Sequence, residues 1–299
     1  MHSTFTANYR NQALHNELGL RQSPQKGLNT FHALGSGKDI LIIGLGPDPA
    51  IADEFIQSLN NLHPSASIAY IESPDFATQM DGNWKQLIPA AWSELDLETA
   101  LRSIKKAGQN KADTEDITFV LYLPGLRLFP SFFGPLFGAV WAAFSAGTQA
   151  APGIGEGITD NLRPILRKLS EPLPDGGQIQ SLTLPGSERG LLHRELALAF
   201  AKQGVKVHSW NPEGGRDLLL STEAAAPGTL APPEDSLGDL FFSVNFRGLD
   251  AYGAVYHYLR AKGVRVAVWC VDNPWHLLSG LRAPYWRELY LFVTDKSFI

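Results

Sequence analysis

Short runs of consecutive apolar residues recur along this chain. Each closes on a glycine turn or a polar cluster, and a stretch of helical periodicity usually follows. In "DILIIGLGPDPAIADEFIQSLNNL", Ile40 to Ile43 has the length and composition of a buried strand, and Gly44 and Gly46 allow a tight turn. Pro49 suits the first turn of the helix that the next residues predict. "SIAYIES" (Ser67 to Ser73) reads as a second strand ending in Glu72, "LDLETALRSIKKA" as an amphipathic helix and "ITFVLYLPG" as a third strand. Residues 1–38 read as a polar, partly helical lead-in.

The alternation then restarts. "QIQSLTLPGSERGLLHRELALAFAKQGVKVHSW" predicts strand, glycine turn, helix and strand, with Gly204 ending the helix. "STEAAAPGTLAPPEDSLG" predicts an exposed loop. "DLFFSVNF", "LDAYGAVYHYLRAKG" and "VRVAVWCV" predict strand, helix and strand, and "ELYLFVTDKSFI" one more strand. Strands alternating with helices point to parallel sheets covered by helices. The expected fold is therefore α/β, with two Rossmann-like units. The first occupies residues 1–150 with its lead-in, 151–177 form a linker carrying the helical stretch "ITDNLRPILRKLS", and 178–299 form the second unit.

Composition narrows the picture. With 44% hydrophobic and 18% charged residues, the 299-residue chain is a folded globular protein long enough for two cores. Residues 1–150 carry 10 basic and 14 acidic groups and residues 151–299 carry 15 and 16, so neither half offers a basic footprint for nucleic acid. A single cysteine, Cys270, cannot form an internal disulfide, which fits a reducing, cytoplasmic setting, and the polar N-terminus has no signal-peptide core.

The segment Leu128 to Ala146 carries no charge and approaches the length of a bilayer-spanning helix. Pro130, Gly134, Pro135 and Gly138 interrupt it, and lipid cannot replace the hydrogen bonds the prolines remove. It is expected to be a buried or interface-packed loop and helix, with protein or membrane-surface contact as the alternative.

Candidate chemistry gathers after the predicted strands. Gly44, Gly46 and Asp48 form a glycine turn at a helix start, and Glu72 closes the next strand, where an acid accepts ribose hydroxyls. That layout serves nucleotide or S-adenosylmethionine binding; a tight turn with a helix cap is the plainer explanation. Gly186, Ser187 and Gly190 shape the second glycine turn, with Ser187 able to cap the following helix and His193 in its first turn. Asn245 and Arg247 follow "LFFSV", where open α/β sheets bind ligands; Arg247 either offers donors to an anion or a sugar hydroxyl, or pairs with Asp250. "DNPWH" places Asp272, Asn273, Trp275 and His276 after the strand ending at Val271. Asp272 and Asn273 are rim groups or a turn and cap pair, and Trp275 walls a pocket, stacks on a sugar or packs in the core. The eight histidines do not cluster, and neither HExxH nor GxSxG occurs, so no metal is expected.

Residues 178–299, through "SVNFRGLD", "VWCVDNP" and "FVTD", resemble the N-terminal region of the bacterial glycosyltransferases related to spore maturation protein CgeB. In that family an uncharacterised domain precedes a glycosyltransferase group 1 domain. The resemblance implies a GT-B arrangement in which this region forms the acceptor side and meets a carbohydrate or glycan acceptor. Asp272 would then be a base or acceptor-orienting group beside His276. Asn245, Arg247 and Asn273 would meet hydroxyls, Gly186, Ser187, Gly190 and His193 would line the cleft, and Trp275 would be the sugar platform. The family's nucleotide-sugar donor binds to a later domain, and this chain ends at "VTDKSFI". No cofactor and little sugar transfer are therefore expected of this chain alone. A carbohydrate- or protein-binding module without catalysis is the alternative.

Overall fold

The computed structural model describes residues 31–35, 37–46, 49–77, 86–88, 93–94, 96, 99, 117–148, 177–187, 190, 192–211 and 231–295. Among these, two compact units form, one of residues 31–133 and one of residues 134–295. The expected 151–177 linker, Gly177 apart, lies outside the described residues, together with most of the helix expected at "LDLETALRSIKKA".

The first unit runs β1 (Phe31–Leu34), β2 (Asp39–Ile43), α1 (Pro49–Leu62), β3 (Ile68–Ile71), α2 (Pro74–Ala77), β4 (Ser93–Glu94), β5 (Ile117–Tyr122) and α3 (Gly125–Leu128). Its sheet has the order β1-β5-β2-β3-β4. β2 is parallel to both β3 and β5, and β3 to β4. Ile40, Leu41, Ile42 and Ile43 are all buried, which is why this strand is continuously apolar instead of alternating. β1 pairs antiparallel with β5, Phe31 opposite Tyr122 and Leu34 opposite Phe119. The end of the polar lead-in is thus an edge strand, held by a partner nearly ninety residues downstream that no local pattern announces.

Helix α4 spans Pro130–Thr148 and runs through Pro135 instead of breaking there. Pro130 stands at its first position, where no N–H is needed. The carbonyl that Pro135 leaves without a donor belongs to Ser131, an exposed residue that water can satisfy. Gly134 and Gly138 turn out to be packing positions. In the second unit, a Cβ at Gly134 would stand 2.6 Å from the ring of His257, and one at Gly138 would stand 2.7 Å from the His257 carbonyl carbon. Phe137, Ala139, Val140, Trp141, Ala142 and Ala143 are buried within the chain. No helix among the described residues is long and apolar enough to cross a membrane.

The second unit continues with β6 (Ser181–Pro185), α5 (His193–Lys202), β7 (Lys206–Trp210), a 3-10 turn (Glu234–Ser236), β8 (Leu240–Val244), α6 (Ala254–Ala261), β9 (Arg265–Cys270), α7 (Pro274–Gly280), a second 3-10 turn (Pro284–Glu288) and β10 (Tyr290–Val293). Its five strands have the order β10-β9-β8-β6-β7 and are all parallel. Leu182, Leu184, Leu240 and Ala267 form a core cluster against which Leu196, Ala197 and Phe200 of α5 pack. α5 ends as expected, with Gly204 at φ 78° and the Val205 N–H bonded to the Phe200 carbonyl. Both units are thus mixed α/β with mainly parallel, Rossmann-like sheets.

Candidate functional site

Chain order reverses once in each sheet, and the strands on either side of the reversal splay their following loops apart to leave a crevice. In the first sheet the reversal lies between β2 and β5, and in the second between β6 and β8.

The first crevice is filled by the protein itself. Gly44 has φ 80° and its N–H bonds to the Ile71 carbonyl. A Cβ there would stand 3.0 Å from the ring of Phe133, and one at Gly125 would stand 2.8 Å from the same ring. Phe133, 2% exposed, therefore sits where the loops after β2 and β5 part. Glu72, the residue after β3, is buried. Its carboxylate accepts hydrogen bonds from the Ser73 N–H (2.8 Å), the Tyr70 hydroxyl (2.9 Å) and the Leu45 N–H (3.3 Å). Burial raises its pKa from 4.5 to about 7, against the opposing pull of those donors. A ribose would have to displace these bonds, and the Leu45 amide of the glycine turn already has the Glu72 carboxyl as its partner. Gly46 has φ 81°, and Asp48 lies outside the described residues. An open cleft of about 370 Å³ lies farther out, between Ser73–Asp75 and Leu128–Phe132.

The second crevice has a different character. Gly186, Ser187 and Gly190 follow β6, and Asn245 and Arg247 follow the neighbouring β8. Ser187 does not cap α5. That helix begins at His193, and its N-cap is Leu192 at φ 62°, without a side-chain hydrogen bond. Asn245 (φ 54°) and Phe246 (φ 61°) are also left-handed. Among the described residues these three are the non-glycine positions with positive φ, and all of them lie in the two loops that flank this crevice.

Asn245 is held in that conformation by β9. Its N–H bonds to the Trp269 carbonyl (3.0 Å), its Oδ1 accepts the Val271 N–H (3.0 Å), and its Nδ2 donates to Asp272 Oδ2 (2.6 Å). Phe246 is fully buried against Tyr285. Arg247 is exposed, and its guanidinium lies across the two glycines. A Cβ at Gly190 would be 2.6 Å from its Nη1, and one at Gly186 would be 3.2 Å from Nη1 and Cδ. It does not pair with Asp250, whose buried carboxylate accepts the Tyr252 (3.0 Å) and Val255 (2.8 Å) N–H groups at the start of α6. Burial raises the Asp250 pKa, while those backbone donors pull it down. His193 is buried under the loop, its Nε2 3.1 Å from the Ser209 hydroxyl and its Nδ1 3.5 Å from where a Gly186 Cβ would be.

After β9 the expected residues separate by role. Asn273 is the N-cap of α7, accepting the Trp275 N–H at 3.0 Å. Asp272 and His276 are exposed. Trp275 is 62% exposed, so it is not a core residue. Cys270 is free and buried, its thiol pushed up to about 11 by burial and then by the Asp272 charge. Among the described residues no group of three or more His, Cys, Asp or Glu side chains could hold a metal ion.

The loops at 186–190, 245–247 and 272–276 therefore follow β6, β8 and β9, three adjacent strands, at one edge of one sheet. Ser209 escaped the sequence reading. It sits one residue before the end of β7 in an otherwise ordinary strand, and only the neighbouring His193 marks it. Leu192 and Phe246 escaped because nothing about an apolar residue signals a left-handed backbone. Comparison with protein-family models, with curated proteins and with solved structures finds no match for this chain.

Proposed function

We propose that this chain is the acceptor-side part of a glycosyltransferase that moves a sugar from a nucleotide-sugar, and that its second unit holds a carbohydrate at the carboxyl rim of the β6–β10 sheet. One observation carries the reading: the described non-glycine residues with positive φ are confined to the two loops flanking the second switch point. Each such residue costs on the order of 1–3 kcal/mol, and strain of this kind persists where a site requires it.

The surrounding groups suit hydroxyl recognition. Asp272, fixed by Asn245 Nδ2, is a rim carboxylate able to orient or deprotonate an acceptor hydroxyl. The exposed indole of Trp275 offers a flat face to a sugar ring. The motifs "SVNFRGLD" and "VWCVDNP" that carry the family resemblance supply Asn245, Arg247, Asp272 and Asn273.

Saturation-transfer NMR of the purified chain against neutral and acidic mono- and oligosaccharides tests the proposal. Saturable binding of a carbohydrate, lost in Asp272→Ala and Trp275→Ala while both variants stay folded, is expected. Absence of any carbohydrate binding, or binding indifferent to both substitutions, would overturn it. Titration with S-adenosylmethionine in the same format separates the competing nucleotide reading, which depends on Gly44 and Glu72.

A further inference from the structure

We infer that the switch point of the second sheet is an anion subsite, in which Arg247 takes the carboxylate or phosphate of an acidic sugar. The inference rests on the carbohydrate reading above and narrows it from sugars in general to charged ones.

Three features of the crevice lead there. The first is position: β6 and β8 are the strands between which chain order reverses, and the loop after each contributes to the same small space. The second is the way the guanidinium is accommodated. Arg247 comes from the β8 loop but lies on the β6 loop, against Gly186 and Gly190. A Cβ at Gly190 would stand 2.6 Å from Nη1, so a side chain there would push the guanidinium aside. The third is that no partner among the described residues explains this placement. The guanidinium makes no hydrogen bond or ion pair with any described residue, and the nearest acid in sequence, Asp250, is buried and bonded to backbone amides. A planar cation with five donors, unmatched among the described residues, fits a carboxylate or phosphate in a two-point arrangement better than a neutral hydroxyl.

The surroundings agree with this assignment. α5 has ten residues and begins at His193, so the positive end of its dipole opens beside the same loop. Under Gly186 lies the buried His193, with its Nε2 3.1 Å from the hydroxyl of the exposed Ser209. Leu192, Asn245 and Phe246 hold the two loops in left-handed backbone that relaxed loops avoid.

The test is calorimetric titration of the full chain with glucose, glucuronic acid, glucose 6-phosphate and inorganic phosphate at low and high salt. A charge-assisted bidentate contact should make at least one acidic sugar bind about tenfold or more tighter than glucose, with the advantage shrinking as salt rises. Whether glucuronic acid or glucose 6-phosphate carries the advantage tells which anion the subsite takes. Arg247→Ala should bring the acidic sugar's affinity down to that of glucose, and Arg247→Lys should restore part of the difference. Gly190→Ala, which displaces the guanidinium without removing it, should mimic Arg247→Ala while circular dichroism shows the fold intact. Equal affinity for glucose and both acidic sugars, or an acidic preference that survives Arg247→Ala, would overturn the subsite and leave the carbohydrate reading standing. Inorganic phosphate binding that depends on Arg247, with no sugar bound, would keep the subsite and overturn the carbohydrate reading. Silence from all four probes would overturn both.

Discussion

The two switch points of this protein arise from one winding rule and meet opposite fates. Between β2 and β5 the crevice is occupied by Phe133, and the buried Glu72 carboxylate satisfies the Leu45 amide of the glycine turn. Between β6 and β8 the occupant is a cation, exposed and unmatched among the described residues, framed by strained backbone. Topology therefore makes a crevice available, but the side chains that converge on it decide whether it becomes core or site. A phenyl ring fills the first crevice, and internal donors occupy the Glu72 carboxyl. An arginine without a partner among the described residues adds little stability to the second.

The comparison breaks most sharply if the plug is removed. Phe133→Ala should cost the first unit about 3–5 kcal/mol, the usual loss for a buried phenylalanine. Chemical denaturation monitored by hydrogen exchange at Ile40–Ile43 would show it, with α6 amides affected less. A loss below about 1 kcal/mol would mean that Phe133 does not hold the first crevice closed.

Acidity separates the units next, in opposite directions. Glu72 moves from 4.5 up to about 7 because it is buried, so folding favours its neutral form. Its contribution to the first unit's stability should be complete below pH 4.5 and be lost as pH rises toward 7, by roughly 3 kcal/mol at 1.36 kcal/mol per unit. His257 moves from 6.5 down to about 3, through burial and then the Arg260 charge, so folding favours its neutral form as well. Its contribution is complete above pH 6.5 and lost as pH falls toward 3, opposite to the Asp250 trend in the same unit. Exchange protection of Ile40–Ile43 and of Val255–Leu259, followed from pH 5 to 8, should fall at opposite ends of the range. Glu72→Gln should flatten the first curve and leave the second alone. Parallel curves would contradict the burial of one of the two groups.

The smallest effects distinguish cap from rim within "DNPWH". Asn273→Ala removes the α7 cap and should cost about 0.5–2 kcal/mol. Trp275→Ala removes an exposed ring and should stay within about ±0.5 kcal/mol. Thermal melts of the two variants should therefore differ in that order; the reverse order would show that the indole is packed and the amide free.

Much of the architecture was legible because buried parallel strands advertise themselves. Ile40–Ile43, Ile68–Ile71, Ile117–Tyr122 and Arg265–Cys270 are dense apolar runs closed by glycine or polar turns, and each is a strand. The three rim clusters were legible for the same reason: once the strands are known, whatever follows them lies at the carboxyl edge. Local pattern failed where a distant partner sets the outcome. Phe31–Leu34 is a strand because β5 offers it an edge, and its own half-buried residues carry no strong period. Gly134, Pro135 and Gly138 read as helix breakers, but the helix continues because the Ser131 carbonyl is exposed and His257 packs flush against both glycines.

By itself, then, the sequence determined the α/β class, the doubled strand–turn–helix plan and the residue types at each loop. These follow from short-range periodicity and backbone freedom. Only the tertiary structure decided that Glu72 faces inward, that Phe133 fills one crevice and that Arg247 lies across Gly186 and Gly190 in the other. Each of these depends on contacts between segments far apart in the chain, and a side chain's direction across such a gap is fixed by packing, which no local pattern of residues encodes.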